Sequence, residues 1–286
     1  NQNALNSTGV ELNLSLRLFE NQKSAYHTGI FFSTFQTKFG ELEISPSYAV
    51  GVGGFVQNPP IGIQEEEPIG DIFALIFQTV NIDGGPEFED INQDGNVVTD
   101  IYGIFEPESD FRVVGNGLPN FELGWSNHFR LGDWHIQAFF RGAFGHSLVN
   151  RARLFFEPRQ NFSRNNFNFV DTELAEENLR FSRFSSLYVE NASFLKLDNL
   201  SLSRSFPIGA ATNKRQLNVS LTGQNLFVIT NYTGPDPEPV LEDIGGTDNG
   251  GLQNALNEAN PFAPGIDRRN NYLPSRTIVI GIGLEF

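Results

Sequence analysis

The C-terminal segment from Arg276 to Phe286 constrains the fold more than any other stretch of the chain. It reads R-T-I-V-I-G-I-G-L-E-F, in which large apolar residues alternate with small or polar ones. Successive side chains of a strand point to opposite sides, whereas a helix would scatter the apolar set around its axis. The segment is therefore predicted to be a β-strand with one apolar face. That face is formed by Ile278, Ile280, Ile282, Leu284 and Phe286.

Two settings suit such a strand, a membrane barrel and the buried edge of a secreted β-sandwich. Its length of about ten residues and the small residues of its second face, Gly281 and Gly283, favour a barrel. A terminal aromatic after an alternating strand resembles the signal by which the outer-membrane assembly machinery selects its clients. Phe286 is thus the predicted assembly signal, and the sandwich is the alternative that this segment leaves open.

The same alternation recurs along the chain. Glu11 to Leu18 places four leucines on one face, and Phe121 to Leu131 is followed by a Gly132-Asp133 turn and a matching strand. Ala192 to Phe206 shifts its apolar phase midway, which predicts a β-bulge near Asp198-Asn199. Gln216 to Ile229 alternates again.

Between these strands the connections alternate in length. Phe19 to Ser24 is predicted to be a turn, and Ala25 to Phe39 a strand. Asp71 to Val80 fits either a strand or a short buried helix, and Asp171 to Leu179 predicts one helical turn. Thr230 to Leu273 is a long loop. Short turns that alternate with long loops are typical of outer-membrane barrels, and we expect seven to nine strands.

Composition excludes several classes of protein. No stretch approaches the ~18 apolar residues of a membrane helix, so a membrane-spanning form must use strands. The net charge of −15, with 19 dispersed Lys and Arg, excludes nucleic acid as a partner. The absence of Cys is compatible with an oxidising compartment. Since the first residues form neither a basic nor an apolar leader region, we expect the chain to be the C-terminal part of a longer protein.

Five ordered segments resemble SusC/RagA-type TonB-dependent transporters. They are G-V-E-L-N-L from Gly9, E-P-I-G-D-I-F from Glu67, D-I-N-Q-D-G from Asp90, N-A-S-F-L-K-L-D-N-L-S-L-S-R-S-F-P from Asn191 and L-N-V-S-L-T-G-Q-N-L-F-V-I-T-N-Y-T-G-P-D-P-E from Leu217. The resemblance implies an all-β fold, the C-terminal portion of a large antiparallel transmembrane β-barrel of about 22 strands, of which about eight lie here. It also implies the bacterial outer membrane as location and a SusD-like surface lipoprotein as partner. Oligosaccharides or peptides would be imported, with energy from TonB acting through a plug domain and TonB box N-terminal to this chain.

One loop resembles the start of a calcium-binding loop. Asp90, Asn92 and Asp94 occupy positions one, three and five, a glycine occupies position six, and Asn96 follows at position seven. The pattern fails at position twelve, where the acid, Asp100, comes one residue early. The sequence leaves open a calcium site and a turn rich in Asp, Asn and Gly; no other cofactor is predicted.

No catalytic constellation is present, so an enzyme is not predicted. The four His lie singly on strand patterns, and His128 and His135 flank one turn. Binding of a glycan or peptide is expected to use aromatic, amide and acidic side chains of the external loops. Asn231, Tyr232, Asp236, Glu238 and Tyr272 fit that role by type, and packing of the loop is the alternative for each.

The long loop from Thr230 to Leu273 would lose much conformational entropy on ordering, so it needs anchors. We expect it to fold over the barrel mouth or pack on the SusD-like partner through Phe262, Tyr232 and Tyr272. The alternative function is a structural or adhesive β-protein of the cell surface without a transport role.

Overall fold

A computed structural model describes residues 4–42, 47–50, 60–99, 104–159, 170–176, 179–208, 215–238, 264–267 and 274–285. Most of the described residues are in strands. In chain order the elements are β1 Leu5–Glu20, β2 Ser24–Phe39, β3 Ser47–Val50, β4 Pro60–Ile63, β5 Asp71–Ala74, β6 Phe77–Val80, β7 Pro86–Phe88, β8 Arg112–Asn116, β9 Phe121–Leu131, β10 Trp134–Phe144, β11 Ser147–Asn150, α1 Arg151–Phe156, α2 Glu173–Glu176, a single 3-10 turn Ser186–Tyr188, β12 Val189–Asn191, β13 Phe194–Ile208, β14 Arg215–Thr230, β15 Ile266–Asp267 and β16 Thr277–Glu285.

Seven long strands form the main sheet, in the order β1-β2-β9-β10-β13-β14-β16. Every neighbouring pair is antiparallel. This confirms the predicted all-β fold with a large antiparallel sheet. The seven strands of the main sheet lie within the expected range of seven to nine. Among the described helices, none is both long and apolar enough to cross a membrane.

The two faces of the main sheet differ in chemistry. One row of paired residues is apolar or aromatic on all seven strands, and it runs through Phe19, Tyr26, Phe129, Ile136, Leu202, Leu221 and Ile280. The row one residue further along runs through Arg17, His27, His128, Gln137, Ser201, Thr222 and Val279, and is polar on six strands. On the apolar face Ile280 and Ile282 are 71% and 74% exposed. Such exposure of large aliphatic side chains suits contact with lipid, so we call the apolar side the outer face and the polar side the lumen face.

The connections segregate by length between the two ends of the sheet. At one end, short connections of two to six residues separate neighbouring strands: 21–23, 132–133 and 209–214. At the other end, the strands are separated by the long connections, residues 40–120, 145–193 and 231–276. The described parts of the long connections contain the small sheets β3-β4-β5-β8, β6-β7 and β12-β11-β15. They also contain the main hydrophobic core, which includes Ile61, Ile72, Val149, Leu154 and Tyr188.

Two predicted elements differ in detail. Asp71–Val80 forms neither one strand nor a helix, because β5 and β6 belong to separate sheets and are divided by Leu75 and Ile76. The turn predicted at Phe19 begins later, since Phe19 pairs with Tyr26 and a register shift between Arg17 and Phe19 leaves Leu18 out of the ladder. The predicted bulge in β13 is confirmed, because the pairing of β13 skips Asp198 on both sides.

Candidate functional site on the lumen face

The lumen face carries two cations in neighbouring strands. The register aligns Phe31, Gly124, Arg141 and Lys196 in one row across β2, β9, β10 and β13. Alternation places all four residues on the lumen face and turns the side chains of Phe31, Arg141 and Lys196 to the lumen, since their sequence neighbours belong to the outer face. Arg141 and Lys196 therefore lie side by side at the end of the sheet nearer the long connections.

The bulge at Asp198 supplies the first partner of Arg141. Because Asp198 is the extra residue of β13, both Asp198 and the following Asn199 reach the lumen side. The carboxylate of Asp198 accepts a hydrogen bond from Nε of Arg141 at 2.7 Å. The bulge thus places a carboxylate beside a cation that regular alternation would have kept away from it.

The segment that follows β14 folds back onto these cations. Glu238 accepts hydrogen bonds from both terminal nitrogens of Arg141, with Oε2 at 2.7 Å from Nη2. Nζ of Lys196 donates to Asp236 at 3.0 Å and to Glu238 at 3.1 Å. The Lys196 and Asp236 side chains are only 10% and 13% exposed, so this pair is largely desolvated. We call Arg141, Lys196, Asp198, Asp236 and Glu238 the ionic clamp.

Two titratable groups in or beside the ionic clamp have lowered pKa values. Burial raises the pKa of Glu238, but the hydrogen bonds from Arg141 and Lys196 outweigh it, and the net shift is below the ordinary value of 4.5. Burial lowers the pKa of His146 below 6.5, although a contact of its Nε2 with the Pro237 carbonyl at 3.2 Å opposes this. At neutral pH Glu238 is therefore charged and His146 is neutral.

A second set of contacts holds the beginning of the same segment. Tyr232 is buried, and its hydroxyl donates to Oδ2 of Asp267 in β15 at 2.5 Å. Burial and the Asp267 carboxylate both raise the pKa of that hydroxyl, so it remains a donor. Glu190 accepts from the amide of Thr233 at 2.8 Å and from Nη1 of Arg153 at 2.8 Å. The 231–238 segment is thus bound to β15 and β12 as well as to the main sheet, and Glu190 links it to α1.

The calcium-like loop is held by its own hydrogen bonds. Asp90, Asn92 and Asp94 each accept a backbone N–H from within the loop, at 2.8, 3.0 and 2.8 Å. The buried Asp110 accepts two further backbone N–H groups at 2.8 Å each. Among the described residues, no three His, Cys, Asp or Glu side chains are grouped so as to hold a metal ion. Asp100 lies outside the described residues, and calcium binding stays a prediction.

The structure brings together three of the five predicted loop residues. Tyr232, Asp236 and Glu238 make the contacts above, and Asn231 is exposed beside them. Tyr272 lies outside the described residues, as do Phe262 and the predicted assembly signal Phe286.

Sequence reasoning missed other residues of this site. They are Arg141, Lys196, Asp198, Glu190 and Arg153. A basic residue at a lumen-facing position of an alternating strand was the available signal for the first two.

These features define part of the wall of a membrane-type β-barrel whose lumen face and long connections form one polar network. The sequence is 24% identical over 301 aligned residues to TonB-dependent receptor P3 of Formosa agariphila, covering 99% of this chain and 29% of that protein. It is 28% identical over 239 residues to TonB-dependent receptor P39 of the same organism, covering 76% of this chain and 20% of that protein. No protein-family model matches the chain.

Solved structures show the same fold. The chain matches the RagAB peptide transporter with a TM-score of 0.67 at 19% identity, covering 99% of this chain and 29% of that one. The RagAB peptide importer in its open-open state matches with a TM-score of 0.68 at 19% identity and the same coverage. The predicted resemblance to RagA-type TonB-dependent transporters is confirmed, and the chain spans less than a third of the length of the proteins it matches.

Proposed function

We propose that this chain forms part of the barrel of a TonB-dependent importer in the bacterial outer membrane. The observation that carries the proposal is the seven-stranded antiparallel sheet, apolar on its outer face and polar on its lumen face, which matches a peptide transporter over 99% of the chain. A continuous apolar outer row suits lipid and a polar lumen row suits a solute path. The names of the sequence relatives, both receptors, support transport over catalysis.

The proposed substrate class is peptides, with oligosaccharides as the second candidate. The structural relatives are a peptide transporter and a peptide importer, which favours peptides. The ionic clamp supports a fixed rather than free 231–238 segment, so the mouth of the barrel has a defined shape on this side. A structural or adhesive surface protein would need no polar lumen row, and it is the less favoured function.

The proposed partners lie at opposite ends of the sheet. A SusD-like surface lipoprotein would dock on the long connections, where the described segments pack into small sheets with a core of their own. TonB would act from the end with the short turns, through the N-terminal region of the full-length protein. This arrangement lets a substrate enter at one end while energy is supplied at the other.

Uptake by cells that carry the full-length protein and its partner tests the proposal. We expect accumulation of fluorescent peptides to depend on TonB and to stop when the TonB box is deleted. The protein should fractionate with outer membranes and need detergent for extraction. Extraction by salt or alkaline buffer alone, or uptake that is unchanged without TonB, would refute the proposal.

A further inference from the structure

A recess of about 610 Å³ opens on the lumen face between β1, β2, β9 and β10. Its volume lies within the ~300–1,000 Å³ of small-ligand pockets. Glu122 is the second residue of β9 and Arg141 lies near the end of β10, so the recess is at the side of the sheet nearer the long connections. A solute arriving from that side would reach it before the rest of the lumen.

Two aromatic rings form the apolar part of the recess. Phe31 and Phe139 both face the lumen, and Gly124 lies between them without a side chain. A Cβ atom built on Gly124 would lie 3.4 Å from Phe31 and 3.5 Å from Phe139, so both rings lean over this backbone position. Phe31 is 42% exposed, so the neighbouring strands of this sheet do not cover its ring.

Two carboxylates border the rings. Glu11 and Glu122 both pair with Ser33, from opposite sides, so they lie two strands apart, or about 10 Å along the row. Both are exposed, and among the described residues Ser33 donates a 3.5 Å hydrogen bond to Glu122. Within the described residues neither carboxylate forms an ion pair. Their stems are long enough to converge on one cation.

The cationic side chain of the recess, Arg141, already has carboxylate partners. Arg141 is bound by Asp198 and by both oxygens of Glu238. Among the described residues, the charge of the recess that has no ion-pair partner is therefore negative, and it lies beside aromatic faces that attract cations. Apolar ring faces and negative charge together complement a long aliphatic stem that ends in a positive charge.

We infer that this recess is a subsite for a lysine or arginine side chain of an imported peptide. The stem would lie on Phe31 and Phe139, and the ammonium or guanidinium group would lie between Glu11 and Glu122. The inference rests on the proposed import of peptides and adds a charge preference to it. A neutral oligosaccharide could donate hydrogen bonds to the two carboxylates but would form no ion pair with them, and an acidic side chain would be repelled.

The test uses the full-length transporter with its partner in cells and a pair of synthetic pentapeptides, Ala-Leu-Lys-Leu-Ala and the same peptide with norleucine in place of lysine. Glu11→Gln and Glu122→Gln remove one charge each and keep the side-chain shape. We expect each substitution to raise the concentration of lysine peptide that gives half-maximal uptake by about threefold, as for loss of a partly exposed ion pair. Uptake of the norleucine peptide should be unchanged. Glu87→Gln, in β7 and away from the recess, is the matched control, and surface amounts are measured for every variant.

The outcomes separate this inference from the function on which it rests. If the wild type imports neither peptide in a TonB-dependent way, the proposed function fails. If it imports both peptides but the two substitutions change neither, or change both equally, peptide import stands and the basic subsite is refuted. A loss confined to the lysine peptide supports the subsite.

Discussion

Removing the charge of Lys196 should release the 231–238 segment without unfolding the sheet. Lys196→Met keeps the length of the side chain but leaves the carboxylate of Asp236, only 13% exposed, without its cation. Breaking a buried ion pair costs about 3–5 kcal/mol, and the lower part of that range is expected here because Arg141 still holds Glu238. A loss of about 3 kcal/mol in the docking free energy corresponds to a roughly 150-fold rise in local opening.

Hydrogen–deuterium exchange of the full-length protein measures this opening. The amides of Thr233 and Glu238 donate to side chains at 2.8 and 3.1 Å, so both should exchange faster when the segment opens. The ladder of β13 with its neighbours involves no Lys196 side chain, and its exchange should stay slow. Lys23→Met, in an exposed turn, is the matched control. Unchanged exchange at 231–238 in correctly assembled Lys196→Met protein would show that the clamp does not hold this segment.

Three further predictions address the outer face, the pH response and the Tyr232 anchor. Ile280→Arg should reduce assembly in the outer membrane, because a charge on the lipid face costs about 2–4 kcal/mol at mid-bilayer. Val279→Arg, on the lumen face, should still assemble. Equal yields of the two folded variants would contradict the assignment of the faces. The pKa values of His146 and Glu238 in the docked state lie below the ordinary values of 6.5 and 4.5, so each group stabilises docking above its ordinary pKa and loses that contribution as pH falls through its lower folded value. Proteolysis of 231–238 should therefore begin to rise below pH 6.5 and rise again below pH 4.5. His146→Gln should remove only the first of these two steps. Tyr232→Phe should weaken the attachment of β15 by about 1–2 kcal/mol, because the hydrogen bond to Asp267 is lost. A protease should then cleave residues 264–267 faster than in the wild type. Identical cleavage rates would count against this anchor.

The long strands could be predicted because their alternation extends over ten or more residues. An alternating pattern of that length rarely arises by chance. It is required here because one face of each strand contacts lipid and the other contacts a polar lumen. The bulge at Asp198 was predictable for the same reason, since the apolar phase changes between Leu197 and Leu200.

The connections could not be predicted to the same extent. Strands of four residues such as β4 and β5 contain only two repeats of an alternating pattern, and one partner of β5 is the distant β8. The pairing within the ionic clamp has no local signal, because Arg141 and Glu238 are separated by 97 positions and meet only when the sheet has formed. Acidic loop residues look solvated in a sequence until a facing cation is placed in space.

The bulge in β13 also determines where this strand can change in length. Loss of Asp198 would leave Leu197 and Leu200 facing lipid and Asn199 facing the lumen, because the skipped residue occupies no place in the alternation. Loss of Ser201 would instead turn every later residue of the strand over, which would bring Leu202 into the lumen and a serine to the lipid. Insertions and deletions among homologous strands are therefore expected at Asp198, and a chain that lacked this residue would keep its barrel while losing a carboxylate from the clamp.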